Sequence, residues 1–160
     1  MIKLTPFIAQ KFAKEKILEI KKEEDREFVL IHTKTVVECA KLLGENRNID
    51  LDLLEIAAWL HDIGYSQEGH AQLALKILEK ERFEISENLK DCIINHGTKG
   101  NPLCEEAKIL KIADKLSMVN PEMLKIIIKY SLKKNKDEKE KDLEFIKVMV
   151  DLGIKGLKDL

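Results

Sequence analysis

A chain of 160 residues can bury about 70% of its unfolded surface around one core and is too short to need a second domain. Its 44% hydrophobic and 36% charged residues, with 7 Gly and 3 Pro, exclude a disordered or fibrous protein and favour an all-α one. The 28 basic residues nearly cancel the 29 acidic ones, and a net charge of -1 excludes the global electrostatic footprint of a nucleic-acid or anionic-membrane binder.

Cys39, Cys92 and Cys104 are odd in number, widely spaced and without a CxxC pair, the pattern of free thiols in a reducing compartment. They read as core residues, not ligands. Lys3 and Pro6 interrupt the N-terminus before a signal-like apolar stretch develops, and no apolar run reaches membrane length. A cytoplasmic location without a membrane partner is therefore expected.

Thr5-Pro6 predicts a helix start, with Thr5 as the cap and Pro6 at the first helical position. Apolar Phe7, Ile8, Phe12, Ile17, Leu18 and Ile20 carry this helix to about Glu24. Asp25 is the candidate cap of a second helix from Phe28 to Leu43, with Gly44 as its stop and Val29, Leu30, Val36, Val37, Ala40 and Leu43 on a wide apolar face. His32 lies within that face. Alone, such a histidine reads as a hydrogen-bonded core residue.

Asp52 and Glu55 have the form of a capping box opening a third helix, which runs through Ala57, Ala58 and Leu60 to the pair His61-Asp62. A carboxylate among apolar neighbours needs a partner, and the cheapest is a metal ion. Adjacent helical residues point about 100° apart, so the pair reaches one ion best where the helix ends, and Gly64 suits a position just past that end. The alternative is an ordinary helix C-terminus with a dipole-stabilised His61 and a solvent-exposed Asp62.

Tyr65 to Gly69 predicts a short loop, after which His70 opens a helix to about Arg82. Ser86 caps a helix ending at Asn95-His96, stopped by Gly97 and Gly100. Asn101-Pro102 reads as the cap and first-position proline of a strongly apolar helix that runs through Leu103 to Leu116 and embeds Asp114. That aspartate requires either the solvent face or a cationic partner. Asn120-Pro121 repeats the start signal for a helix from Glu122 to about Tyr130, and another follows to about Asp151. The mixed charges between Lys133 and Glu144 describe a solvated helix face rather than a nucleic-acid tail. No internal repeat, low-complexity linker or strand-like alternation interrupts this pattern.

Six polar residues stand out against it: His32, His61, Asp62, His70, His96 and Asp114. Imidazole and carboxylate donors together suit Mn, Fe, Co, Ni or Zn, whereas a thiolate-rich site would draw on the cysteines. The order of the six resembles that of the HD-domain metal-dependent phosphohydrolases, and His61-Asp62-Ile63-Gly64 is similar to their HDIG-type members. The likeness covers roughly Phe28 to Met118 and includes Gly69-His70-Ala71, Asn95-His96-Gly97 and Ile112-Ala113-Asp114-Lys115. The helices before Asp25 and after Pro121 carry no matching motif.

The resemblance implies one all-helical domain, with a core at about residues 25–120, flanking helices at 5–24 and 121–155, and a central metal held by His32, His61, Asp62 and Asp114. Members with two additional histidines bind a second metal, bridged by the aspartate of the His-Asp pair. That assigns His70 and His96 and makes two divalent transition-metal ions the expected cofactor. Two such cations clamp a phosphoryl oxygen, activate water and neutralise the leaving oxygen. His61 and Asp62 then stand at the catalytic centre, with Lys115 a candidate phosphate contact and Lys99 a second one. The expected function is hydrolysis of a nucleotide or other small phosphoester by metal-activated water. Two alternatives remain: a catalytically weak nucleotide-binding signalling module, and a di-iron oxygenase on a related helical scaffold. The long helices could supply a homodimer face.

Overall fold

A computed structural model describes residues 1–65 and 69–160, and the middle of the loop expected between Tyr65 and Gly69 lies outside them. The described residues form eight α-helices: α1 (Pro6–Leu18), α2 (Glu23–Gly44), α3 (Leu51–Leu60), α4 (His70–Lys80), α5 (Glu87–Asn95), α6 (Glu105–Leu116), α7 (Pro121–Ser131) and α8 (Lys136–Asp159). A single 3-10 turn, Ser117–Val119, joins α6 to α7. The only β pairing among the described residues is an isolated bridge between Ile2 and Phe83, so the fold is all-α as expected.

The caps show where local sequence decided the boundaries. Thr5, Ser86 and Asn120 each accept a backbone N–H of the helix they precede, from Ile8, Leu89 and Glu122. Four other boundaries differ from expectation. α1 stops at Leu18, and α2 starts at Glu23, which puts Asp25 in a first turn with Glu23 and Glu24 where acidic charge complements the helix dipole. Gly44 is the last residue of α2 rather than a stop beyond it. Asp50, not Asp52, caps α3 by accepting from Leu53 N–H at 2.9 Å.

The start of α6 is displaced for a tertiary reason. Asn101-Pro102 lies in the connection, and the helix begins at Glu105 because the Asp91 carboxylate of α5 accepts both Leu103 N–H and Cys104 N–H at 2.8 Å. At the far end of the chain α8 runs to Asp159, well beyond Asp151. Gly153 and Gly156 are not breakers there: a Cβ at either would come within 2.6 Å of Leu116 or Ile112, so the absent side chains let α8 lie directly on α6.

The main core joins α1 to α6 through fully buried Leu54, Leu60, Leu78, Ile93, Ile109 and Leu110. Each such side chain stabilises the fold by about 2 kcal/mol. Cys92 is buried, Cys39 and Cys104 are half-buried, and all three are free thiols. A smaller cluster of Met118, Met123 and Met149, packed by Phe28, Ile31 and Ile127, attaches α7 and α8 to α2. Methionine suits this seam because its flexible thioether fills irregular gaps. No helix is long and apolar enough to cross a membrane among the described residues.

Candidate metal centre

Five helices deliver polar side chains to one place. His32 comes from the middle of α2, His61 and Asp62 from the end of α3, His70 from the first residue of α4, His96 from just beyond α5, and Asp114 with Lys115 from the last turn of α6. As expected, the third helix ends at the His61-Asp62 pair. His61 N–H still bonds Ala57 O at 2.9 Å, and the chain then tightens through Ile63 N–H to Leu60 O and Tyr65 N–H to Asp62 O. Gly64 serves this turn by lacking a side chain, since a Cβ there would lie 2.3 Å from the carbonyl of His70. The start of α4 therefore rests on the turn, and His70 faces Asp62.

The contacts divide around Asp62. Its Oδ2 lies 3.4 Å from both His32 Nε2 and His61 Nε2, while its Oδ1 lies 3.5 Å from both His70 Nε2 and His96 Nε2. Asp114 joins the first side, with Oδ1 3.1 Å from His32 Nε2 and 3.8 Å from His61 Nε2. Within each side the imidazoles also meet, His32 and His61 at 3.4 Å and His70 and His96 at 3.1 Å between Nε2 atoms. All of these residues are buried except His70, which is half-buried. The alternative of an exposed Asp62 at an ordinary helix end is thereby excluded.

Outer hydrogen bonds set the tautomers. His61 Nδ1–H donates to Ala58 O at 2.8 Å and His96 Nδ1–H to Ile93 O at 2.7 Å. Ser117 Oγ donates to Asp114 O at 2.7 Å, which leaves it to accept from His32 Nδ1–H at 3.1 Å. Three Nε2 lone pairs are thus turned inward onto carboxylate oxygens and onto other lone pairs. Such an acceptor-only cluster requires a cation.

The same demand appears in the titration of the groups. Burial alone would lower the His32 pKa, but hydrogen bonds to Asp114 and Asp62 outweigh it and push it up to about 9. His96 is raised for a related reason, burial opposing and the Asp62 hydrogen bond prevailing. Burial pushes the Asp62 carboxyl up, but His61, His32 and His96 hold it well below the usual carboxylate range. Asp114 is likewise held low against burial by His32 and Lys115. His70, by contrast, is lowered chiefly by burial.

The donor set fits divalent transition metals. Ligands about 2.1 Å from an ion stand roughly 3.0–3.4 Å from one another at the edges of an octahedron or tetrahedron, close to most of the separations above. Two trios, His32, His61, Asp114 and His61, Asp62, His96, keep their ligand atoms within 4.8 Å of one another. His70 extends the second trio through its contacts with His96 and Asp62.

A cavity of about 510 Å³ opens over the cluster, lined by Phe28, Tyr65, Thr98, Lys115, Met118 and Phe145 among others. Lys115 is buried, its ammonium donating to the Asp114 carboxylate and, at 3.2 Å, to His96 O. It thereby ties together one group from each side of the cluster. Lys99 is exposed on the loop after His96 and lines a shallow cavity that shares His70, His96, Gly97 and Thr98 with the central one. Sequence reasoning missed Ser117, although it sits three residues after Asp114, one helical turn away. It also missed the aromatic walls, because Phe28, Tyr65 and Phe145 are far apart in the chain.

Comparison with known proteins gives a match of the HD domain family to residues 29–119. A deoxyguanosinetriphosphate triphosphohydrolase-like protein of Caldanaerobacter subterraneus subsp. tengcongensis is 30% identical over 112 residues, covering 57% of this chain and 33% of that protein. A ribonuclease Y of Pseudothermotoga lettingae is 31% identical over 98 residues, covering 58% of this chain and 19% of that protein. The chain thus spans a third or less of either relative's length. No solved structure matches it.

Proposed function

This chain belongs to the HD domain family, and on that premise we propose that it is a metal-dependent phosphohydrolase cleaving a nucleotide or another small phosphoester. The observation that carries the reading is the division of Asp62, one oxygen facing His32 and His61 and the other facing His70 and His96. That arrangement suits a bridge between two ions. The likeness to a deoxyguanosinetriphosphate triphosphohydrolase-like protein supports a nucleotide as the substrate class.

Bound in this site, two divalent ions of Mn, Fe, Co, Ni or Zn type would polarise the phosphoryl oxygens and acidify the attacking water. The protein's own part is orientation. His61 and His96 present Nε2 because their Nδ1–H groups are committed to Ala58 O and Ile93 O. Asp114 is held ionised against His32, and Lys115 fixes it while adding positive charge to the cavity wall.

The test joins elemental analysis to turnover. The wild-type chain, purified without chelators, should carry about two transition-metal ions and release phosphate from at least one nucleotide or phosphoester. His61→Ala and Asp62→Ala should each abolish release while keeping a helical circular-dichroism spectrum. A fully active variant of either kind would sink the proposal.

A further inference from the structure

The cavity over the cluster does not close on itself. Phe28, Tyr65, Met118 and Phe145 line it and also line a second cavity of about 270 Å³ whose far wall is built by Ile127 and Ile146. The two form one groove leading from Asp62 to the face between α7 and α8. The larger part alone falls within the size of small-molecule sites, roughly 300–1,000 Å³. Both Ile127 and Ile146, like the whole of α7 and α8, lie outside the residues matched by the family. This wall is therefore built by residues beyond the matched HD segment.

Its chemistry is distinct from that of the cluster. The charged groups around the second cavity are paired, Lys134 with Asp142 at 2.8 Å and Lys22 with Asp25 at 3.6 Å. Neither cation is left to hold a further phosphate. What the groove offers instead is aromatic and aliphatic surface: Phe28 and Tyr65 stand 6.4 Å apart with rings tilted by 34°, and Phe145 is 52% exposed at the junction of the two cavities. Aromatic faces of this kind stack on flat, uncharged groups.

The opposite side of the cluster has the reverse character. A third cavity shares Thr98 and Lys115 with the central one and adds Lys108, Lys111 and Lys155. There, burial chiefly, with the neighbouring Lys115 charge second, lowers the Lys111 pKa, while Lys111 donates to Gly100 O and Lys108 is paired with Glu105, both at 2.6 Å. An elongated substrate would be oriented by this asymmetry, its anionic part toward the cluster and Lys115 and its organic part toward α7 and α8.

Resting on the phosphohydrolase reading, we propose that the cavity between α7 and α8 is the specificity subsite and takes the planar, uncharged organic group of a phosphomonoester, such as a nucleobase. The scissile phosphate then faces Asp62, and Phe145 is a specificity residue that covers the planar group without touching the metal ligands.

The chain loaded with Mn²⁺ tests this against adenylate, guanylate, cytidylate, uridylate and glycerol 3-phosphate. Two variants are compared with wild type: Phe145→Ala, at a half-exposed position where truncation leaves the fold intact, and Ile146→Trp, which fills the second cavity alone. Each should raise KM for the preferred nucleotide about tenfold while kcat/KM for glycerol 3-phosphate stays within about twofold. Equal loss on both substrate kinds, or no loss on either, overturns the subsite. Should wild type cleave none of the five, phosphomonoesters of this kind are not its substrates and turnover gives no measure of the subsite. The subsite is then judged by calorimetric titration with the four free nucleosides. Binding that Phe145→Ala weakens upholds it, and absence of binding overturns it.

Discussion

Ser117 Oγ stands between His32 Nδ1, 3.1 Å away, and the Asp114 carbonyl, 2.7 Å away, and so fixes the orientation of an imidazole contributed by a helix 85 residues earlier. Outer partners of this kind tune affinity more than fold. Ser117→Ala should weaken metal binding by about 10- to 100-fold while Ser117→Thr retains most of it. Competition with a chelator of known affinity measures both, and equal affinity in the alanine variant would show that the hydroxyl has no such part.

His70 is the half-buried member of the cluster and touches only the Oδ1 side of Asp62. His70→Ala should therefore lower the metal content from about two ions per chain to about one, sparing the ion on the side of His32, His61 and Asp114. Elemental analysis after gel filtration reads the change. Loss of both ions would mean that the two sides do not fill independently.

The metal-free protein should respond to pH through His32. A pKa raised from 6.5 to about 9 means that the proton stabilises the folded chain fully below pH 6.5, and that this contribution drains away as pH rises to about 9. An ion in the site takes the place of the proton. The melting temperature of chelator-treated protein should fall by several degrees between roughly pH 6.5 and 9, while metal-loaded protein shows a flatter profile over that window. A flat profile for the metal-free chain contradicts the assignment.

Asp91 of α5 anchors the connection that leads into α6 by accepting Leu103 N–H and Cys104 N–H. Asp91→Ala should cost about 1–2 kcal/mol of stability, read as a lower urea midpoint. Burial pushes the Asp91 carboxyl up, but these N–H groups and the Asn95 amide hold it below its usual value. Its contribution is thus present above the ordinary carboxylate range and is lost as pH falls through the lowered pKa, so the gap between variant and wild type should close in acid. An undiminished gap would assign the effect to packing.

Much of this was legible in the chain because the relevant signals are local. Thr5, Ser86 and Asn120 announce helices whose first turns they cap, and apolar spacing carries each helix forward. Where a boundary depends on a distant residue the sequence misleads, as with Asn101-Pro102, which Asp91 overrides, or the expected end near Asp151, which α8 passes because Gly153 and Gly156 let it lie on α6. His32, His61, Asp62 and Asp114 could be singled out because they lie in apolar runs or at helix ends, whereas His70 stands out only by its place beside the loop after His61-Asp62 and His96 by its helix end. Their division around the two oxygens of Asp62 is a tertiary property, and no spacing encodes it. The same holds for the walls of the cavity, since an exposed Phe145 looks like any surface aromatic until it meets Phe28 and Tyr65 in the fold.

The converging side chains come from five separate helices, and the segments between them are long, with 29 residues from His32 to His61 and 26 from His70 to His96. An ion shared among them closes these segments as a set of cross-links that the unfolded chain cannot reproduce. Each tenfold rise in free metal above the dissociation constant then adds about 1.4 kcal/mol per site to the folded state. On the proposed reading, the temperature at which this protein unfolds would gauge the metal concentration around it.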